Sequence, residues 1–143
     1  MQGFLRACVA DYMTSNVVTL PPETPLHEIE RQFTLTDFNG FPVVEQDQLA
    51  GMVTKFDVLK VFVFTPRAVI PPYEELSRRT AAQIMTRNVI TFAPEAPLTR
   101  VLQTLVDFRV KSFPVLDGPR LAGIIARQDV VRALHELGAH FEP

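Results

Sequence analysis

Short apolar runs recur along the chain, each separated from the next by Pro, Gly or a polar cluster. Val17–Leu20 is a β-branched run stopped by Pro21 and Pro22, which predicts a strand followed by a turn. Pro25 suits the first position of a helix with Thr24 as its cap, and Leu26, Ile29 and Phe33 follow at helical spacing, with the end near Asn39-Gly40. Phe41–Glu45 and Leu49–Thr54 are apolar runs joined by the polar Gln46-Asp47-Gln48, a pattern that predicts a hairpin of buried strands. Lys55 to Val61 follows as a second helix. The same order of strand, helix, strand, strand, helix recurs from Val89 to Leu134, with Asp117-Gly118-Pro119 as the second hairpin turn.

The recurrence is an internal duplication. Residues 13–60 align with residues 85–132 at a constant offset of 72 and without a gap, and 17 of the 48 positions are identical. Average residue usage would give roughly three. The identities include Met13/Met85, Thr14/Thr86, Pro42/Pro114, Gly51/Gly123 and Asp57/Asp129. Many other pairs exchange one apolar residue for another, as Val18/Ile90 and Val53/Ile125 do, which core positions tolerate. Two copies suggest a pseudo-twofold pair rather than a solenoid. The expected domains are residues 9–62 and 81–136, with a linker over 63–80 that carries a short helix between breaks at Pro66, Pro71 and Pro72. The run Val61-Phe62-Val63-Phe64 is expected to pack in a core or at a subunit contact.

Composition narrows the class. With 143 residues and 47% hydrophobic content the chain can bury a core of its own. A net charge of −2 lacks the excess of Lys and Arg that a phosphate-reading surface needs, so no nucleic-acid partner is expected. No apolar run is long enough to span a bilayer, so no membrane partner is expected either. The single cysteine, Cys8, excludes an internal disulfide and fits a reducing, cytoplasmic setting. His27, His135 and His140 lack metal-ligand spacing, neither Cys8 nor any Ser lies in a nucleophile motif, and no Gly-rich phosphate loop is present. No enzymatic activity and no required cofactor are expected.

Three segments in each copy then carry a resemblance. Asp11-Tyr12-Met13-Thr14-Ser15-Asn16-Val17-Val18-Thr19, Gly40-Phe41-Pro42-Val43-Val44 and Gly51-Met52-Val53-Thr54-Lys55-Phe56-Asp57 resemble the signatures of a CBS (cystathionine β-synthase-type) domain in order and spacing. Ile84–Thr91, Ser112–Leu116 and Gly123–Asp129 repeat them, so the resemblance covers about 120 residues, from Val9 to Leu134. It implies a mixed α/β (α+β) fold of two βαββα repeats, packed by pseudo-twofold symmetry into one globular module with two clefts. It also implies a homodimer in which two modules form a flat disc.

The residues themselves allow two readings of Thr54-Lys55-Phe56-Asp57. One is a capping box at a helix start, in which hydroxyl and carboxylate satisfy free backbone N–H groups. The other follows from the resemblance, which implies that the Asp accepts hydrogen bonds from ribose hydroxyls while the Thr lies near ribose or phosphate. A carboxylate suits a vicinal diol. Carried over residue by residue, one cleft combines Thr54 and Asp57 with Thr86, Ile90, Val110 and Lys111. The other combines Asp129 with Thr14, Val18, Phe38 and Asn39, with Phe38 placed to stack on adenine or to end a helix in the core. Lys111 is the candidate phosphate neutraliser, and Lys55 and Arg127 add charge near the helix starts. Ala126 stands where the first copy has Thr54, a departure that counts against the second cleft, so unequal sites are expected, one of them empty or selective for a different ligand.

The implied ligand is of adenosine type: AMP, ADP, ATP, S-adenosylmethionine or a dinucleotide. Within these 143 residues there is no effector domain, so the output is expected to act in trans on an unidentified effector protein. A ligand-free dimerisation or interaction module would carry the same motif skeleton, and turnover of a nucleotide would mark an enzyme.

Overall fold

The structure, a computed structural model, describes residues 2–63 and 73–138. Its elements are α1 (Gln2–Arg6), α2 (Val9–Tyr12), α3 (Leu26–Leu35), β1 (Gly40–Glu45), β2 (Gln48–Thr54), α4 (Lys55–Val61), α5 (Tyr73–Leu76), α6 (Ala81–Ile84), α7 (Leu98–Phe108), β3 (Ser112–Asp117), β4 (Arg120–Ala126) and α8 (Arg127–Gly138). Strands β1 and β2 form one antiparallel sheet, and β3 and β4 form another. Pro66, Pro71, Pro72, Phe64 and His140 lie outside the described residues.

The duplication is reproduced in the register of both hairpins. Val43 faces Gly51 and Val44 faces Leu49, so Ala50 is an extra residue in β2; Val115, Gly123, Leu116, Leu121 and Ala122 repeat this in the second sheet. A bulge of this kind bends and twists the strand, and here it falls at the same place in both copies. The two turns use different chemistry for the same result. Gln46 and Asp47 both take left-handed φ values of 52° and 61°, whereas the second turn places Gly118 at 61° before Pro119.

Three local expectations change. Val17–Leu20 forms no strand: only Leu20 bridges to Val43, its N–H donating to the Pro42 carbonyl at 2.9 Å and its own carbonyl accepting from Val44 at 3.0 Å. In that parallel register the next hydrogen bonds would run from the N–H of residue 22 to the Val44 carbonyl and from the N–H of residue 42 to the Val18 carbonyl, and both residues are Pro. Phe92 makes the matching single bridge to Val115. Thr24 does not cap α3; its hydroxyl donates back to the Pro21 carbonyl at 2.7 Å, and Pro25 occupies the cap position. Helix α3 stops at Leu35, well before Asn39, where Thr36 turns extended and its hydroxyl donates to the Gln32 carbonyl.

Two compact units form, one from residues 18–89 and one from residues 1–17 with 90–143, and each is closed by a segment from beyond its own repeat. In the first, Met52 and Thr86 exchange backbone hydrogen bonds of 2.9 and 2.8 Å along the free edge of β2. In the second, Thr14 and Ile124 do the same at 2.8 and 2.9 Å along β4. Both approaches need a glycine in the strand. A Cβ at Gly51 would lie 2.7 Å from the Thr86 carbonyl oxygen, and one at Gly123 would lie 2.5 Å from that of Thr14.

Each unit has its own core. Leu20, Leu26, Ile29, Phe41, Val43, Val53, Val58 and Ala81 are buried together in the first, with Val61, Phe62, Ile84 and Met85 packed partly buried against them. Val63, by contrast, is exposed. In the second, Phe4 and Val9 from the N-terminal helices join Leu98, Val101, Phe113, Val115 and Ile125. Full burial of the larger of these side chains is worth about 1.5–3 kcal/mol each, and the closing helices α2 and α6 are held by buried Val9 and Ala81 together with backbone hydrogen bonds from Val9 to Ala96 and from Ala81 to Thr24. Gly51→Ala is expected to lower the unfolding free energy by about 1–3 kcal/mol, the usual range for overpacking. Gly138→Ala, where an added Cβ meets nothing within 4 Å, is expected to stay within about 0.5 kcal/mol of the parent. Denaturant unfolding of both variants checks this.

Candidate functional site

Chain topology brings a carboxylate to the same place in each unit, at the junction where the second strand of the hairpin runs straight into a helix. Both carboxylates are buried, Asp57 with 2% of its surface exposed and Asp129 with 3%. Neither is buried without partners.

Around Asp57 the capping box is complete. The Thr54 hydroxyl accepts from the Asp57 N–H at 3.1 Å, and the Asp57 carboxylate accepts from the Thr54 N–H at 2.8 Å and from its hydroxyl at 3.0 Å. The Thr86 hydroxyl, delivered by the Met52–Thr86 bridge, donates to Oδ1 at 3.0 Å, and Lys60 Nζ lies 3.0 Å from the same oxygen. Thr54, Asp57 and Thr86 are therefore brought together as one hydrogen-bonded cluster.

Asp129 is held more loosely. Its Oδ2 accepts from the Ala126 N–H at 2.8 Å, and Arg132 stands 3.7 Å from Oδ1. Burial holds this carboxyl above the ordinary carboxylate value, against the opposing pull of the Ala126 N–H and of Arg132. The Arg132 guanidinium is shared: Nη2 donates to the Tyr12 carbonyl at 3.2 Å, the group lies 5.3 Å from the centre of the Tyr12 ring, and Glu136 is 3.9 Å from Nε. The Tyr12 hydroxyl donates to Glu136 at 2.8 Å, a bond to a carboxylate that raises its own pKa.

The other candidates divide between the units. Val18, Phe38 and Asn39 belong to the unit of Asp57; Thr14, Ile90, Val110 and Lys111 belong to that of Asp129. Phe38 is half-buried, its ring edge-on to Phe41 at 6.1 Å, and Val18 packs against the same core. The Asn39 carbonyl accepts from the Lys55 N–H at 3.2 Å and the Lys111 carbonyl from the Arg127 N–H at 2.9 Å, so the segment before each buried Pro is tied to the start of its helix. Ile90 and Val110 are each 37% exposed. Thr14 is fixed by its backbone alone, with no hydrogen bond from its hydroxyl to Asp129 among the described residues.

Of the added cations, Arg127 is committed to structure, its guanidinium donating to the carbonyls of Val110 and Arg109 at 3.2 and 2.9 Å. Lys55 lies 6.0 Å over the Phe33 ring. The cations that reach the carboxylates, Lys60 and Arg132, were not singled out from the sequence. Their spacing, three residues after Asp57 and Asp129 on a helix, was the available signal.

The CBS domain family model matches residues 9–63 and 81–136, and the chain belongs to that family as a tandem pair of CBS domains. The structure of protein MJ1225 from Methanocaldococcus jannaschii is similar, with 26% identity and a TM-score of 0.82 over 89% of this chain and 47% of that one. The CBS domain pair of protein MJ0100, in complex with 5′-methylthioadenosine and S-adenosyl-L-methionine, gives 23% identity and a TM-score of 0.75 over 92% and 98%. CBSX2 in complex with AMP gives 22% and 0.77 over 92% and 98%. At these last identities the likeness shows the fold. The chain spans 13%, 46% and 24% of the lengths of three curated relatives that it matches at 25–28% identity. Among the described residues no helix is long and apolar enough to cross a membrane.

The raised pKa of Asp129 has a definite sign. The contribution of this group to stability is fully present below the ordinary Asp value of about 3.9 and is lost as pH rises through its higher folded-state value. Asp129→Asn, which keeps an oxygen for the Ala126 N–H, is expected to gain stability relative to the parent as pH rises from about 4 through that window. Thermal unfolding of both proteins across the range checks this, and a difference that is flat or falls with pH would contradict it.

Proposed function

We propose that the chain is a regulatory module that binds an adenosine-type ligand, AMP, ADP, ATP or S-adenosylmethionine, and acts in trans on a partner protein. The observation that carries this reading is the pair of buried carboxylates, Asp57 and Asp129, at equivalent strand-to-helix junctions. Each is a strong acceptor, and a ribose offers two adjacent hydroxyl donors that match it. The adenosine ligands named for CBSX2 and for the MJ0100 pair support the same ligand class. Thr54, Thr86, Thr14, Val18, Ile90, Phe38, Asn39, Val110 and Lys111 are the further proposed contacts. The module is proposed to work in the cytoplasm as a homodimer and to catalyse nothing, with ligand binding shifting the population of conformers that the effector protein meets.

One observation favours a second reading, in which the chain serves only to dimerise or to hold another protein. The Asp57 carboxylate accepts from the Thr54 N–H and hydroxyl, while the Thr54 hydroxyl accepts from the Asp57 N–H, which is the complete capping box of a structural helix start. Thermal unfolding with AMP, ADP, ATP and S-adenosylmethionine separates the two. A ligand at about 100 times its dissociation constant adds roughly 2.7 kcal/mol, enough to raise the midpoint by several degrees in a domain of this size. Such a rise with at least one ligand, lost when both carboxylates are changed to Ala, is the expected result. A folded protein that responds to none of the four is the interaction module.

A further inference from the structure

We propose that Arg127 is a positioning residue: it presets the turn that ends α7 and so presents Lys111 to the phosphate of a nucleotide ligand. This rests on the adenosine-binding reading above and makes selection of a phosphorylated ligand depend on an arginine outside the contacts already named.

One residue at the start of α8 satisfies three successive carbonyls of that turn. Arg127 Nη2 donates to the Arg109 carbonyl at 2.9 Å, Nε to the Val110 carbonyl at 3.2 Å, and the backbone N–H to the Lys111 carbonyl at 2.9 Å. The turn needs this support. Arg109 closes α7 in the left-handed region, at φ 54° and ψ 29°, where its Cβ crowds the following carbonyl oxygen and where Gly or Asn is the usual residue. The side chains offer little anchorage, because Phe108 is 62% exposed, Val110 37%, and Arg109 and Lys111 are exposed too.

The first copy holds its turn by other means. Lys55 stands where Arg127 does at the offset of 72, and its ammonium lies 6.0 Å over the Phe33 ring. Its backbone N–H reaches the Asn39 carbonyl, and Phe38 packs its ring edge-on to Phe41, so a side chain anchors that turn. The difference is one of donor geometry. A guanidinium carries its N–H groups in a planar fork that can bridge two neighbouring carbonyls, whereas an ammonium is a point charge on a flexible stem. With its backbone held by Arg127, the second turn leaves the Lys111 side chain exposed, and Lys111 makes no ion pair among the described residues. A turn already ordered spares a ligand the cost of ordering it.

Isothermal titration of the full chain with AMP and with adenosine gives the preference for phosphate as the ratio of the two dissociation constants. Lys111→Met is expected to lower that preference about tenfold, and Arg127→Lys, which keeps the charge without the fork, about as far. The first copy carries Lys at this place, so the variant is expected to fold. The double variant should be no worse than either single one, because Arg127 acts through Lys111; two independent contacts would multiply to about a hundredfold. Backbone ¹⁵N order parameters without ligand supply a second readout. Arg109, Val110 and Lys111 are expected near the rigid value of about 0.85 in the parent and to fall towards about 0.6 in Arg127→Lys, with residues 37–39 unchanged. Equal binding of AMP and adenosine by the parent, an unchanged preference in Arg127→Lys, losses that multiply, or order parameters that do not fall overturn the positioning role while leaving adenosine binding intact. A folded parent that binds neither ligand overturns both.

Discussion

The backbone bridges Met52–Thr86 and Thr14–Ile124 are the contacts on which the rest of the structure depends. Each closes the free edge of a hairpin with a segment that belongs, by sequence, to the other repeat. The bridge seals a sheet edge that would otherwise offer unpaired N–H and C=O groups. It also carries a short helix into the core, α6 with Ile84 and Met85 in one unit and α2 with Val9 and Met13 in the other. Neither repeat contains all of its own core. The requirement falls on one atom per strand, because any Cβ at Gly51 or Gly123 would meet a carbonyl oxygen at 2.7 or 2.5 Å.

The same bridge sets the chemistry of the carboxylates. It brings the Thr86 hydroxyl onto Asp57, where a capping box and a lysine complete the shell. The counterpart bridge brings Thr14 to its equivalent backbone position without a hydrogen bond from its hydroxyl to Asp129. With Ala126 in place of a hydroxyl and Arg132 shared with Tyr12 and Glu136, that carboxylate keeps a raised pKa and, among the described residues, a single hydrogen-bond donor. Burial of a charge without a full set of donors is unfavourable for folding, and such sites often carry function instead. Two positions related by duplication have therefore diverged through their neighbours, while the aspartates themselves stayed the same.

Much of this was legible in the chain. The hairpins, α4, and the capping box of Thr54 and Asp57 follow from apolar runs, turn residues and the spacing of hydroxyl to carboxylate, all of which act over a few residues. The duplication doubled the signal, since each reading could be checked at an offset of 72. The Val17–Leu20 strand was misread because a β-branched run reports propensity, while pairing was confined to Leu20 by the missing N–H groups of Pro42 upstream and Pro22 downstream. Thr24 looked like a cap because of its place before Pro25, yet the Pro21 carbonyl competed for its hydroxyl.

By itself, then, the sequence determined the two hairpins, the helix that follows each, the twofold repetition and the family, because these depend on short-range stereochemistry and on patterns that local spacing preserves. Only the tertiary structure decided which segment closes which sheet and what surrounds each carboxylate. Thr86 lies 29 residues from Asp57, and Tyr12 lies 120 residues from Arg132. Contacts over such distances are chosen by packing and by the one glycine that lets two backbones meet, and no local pattern announces them.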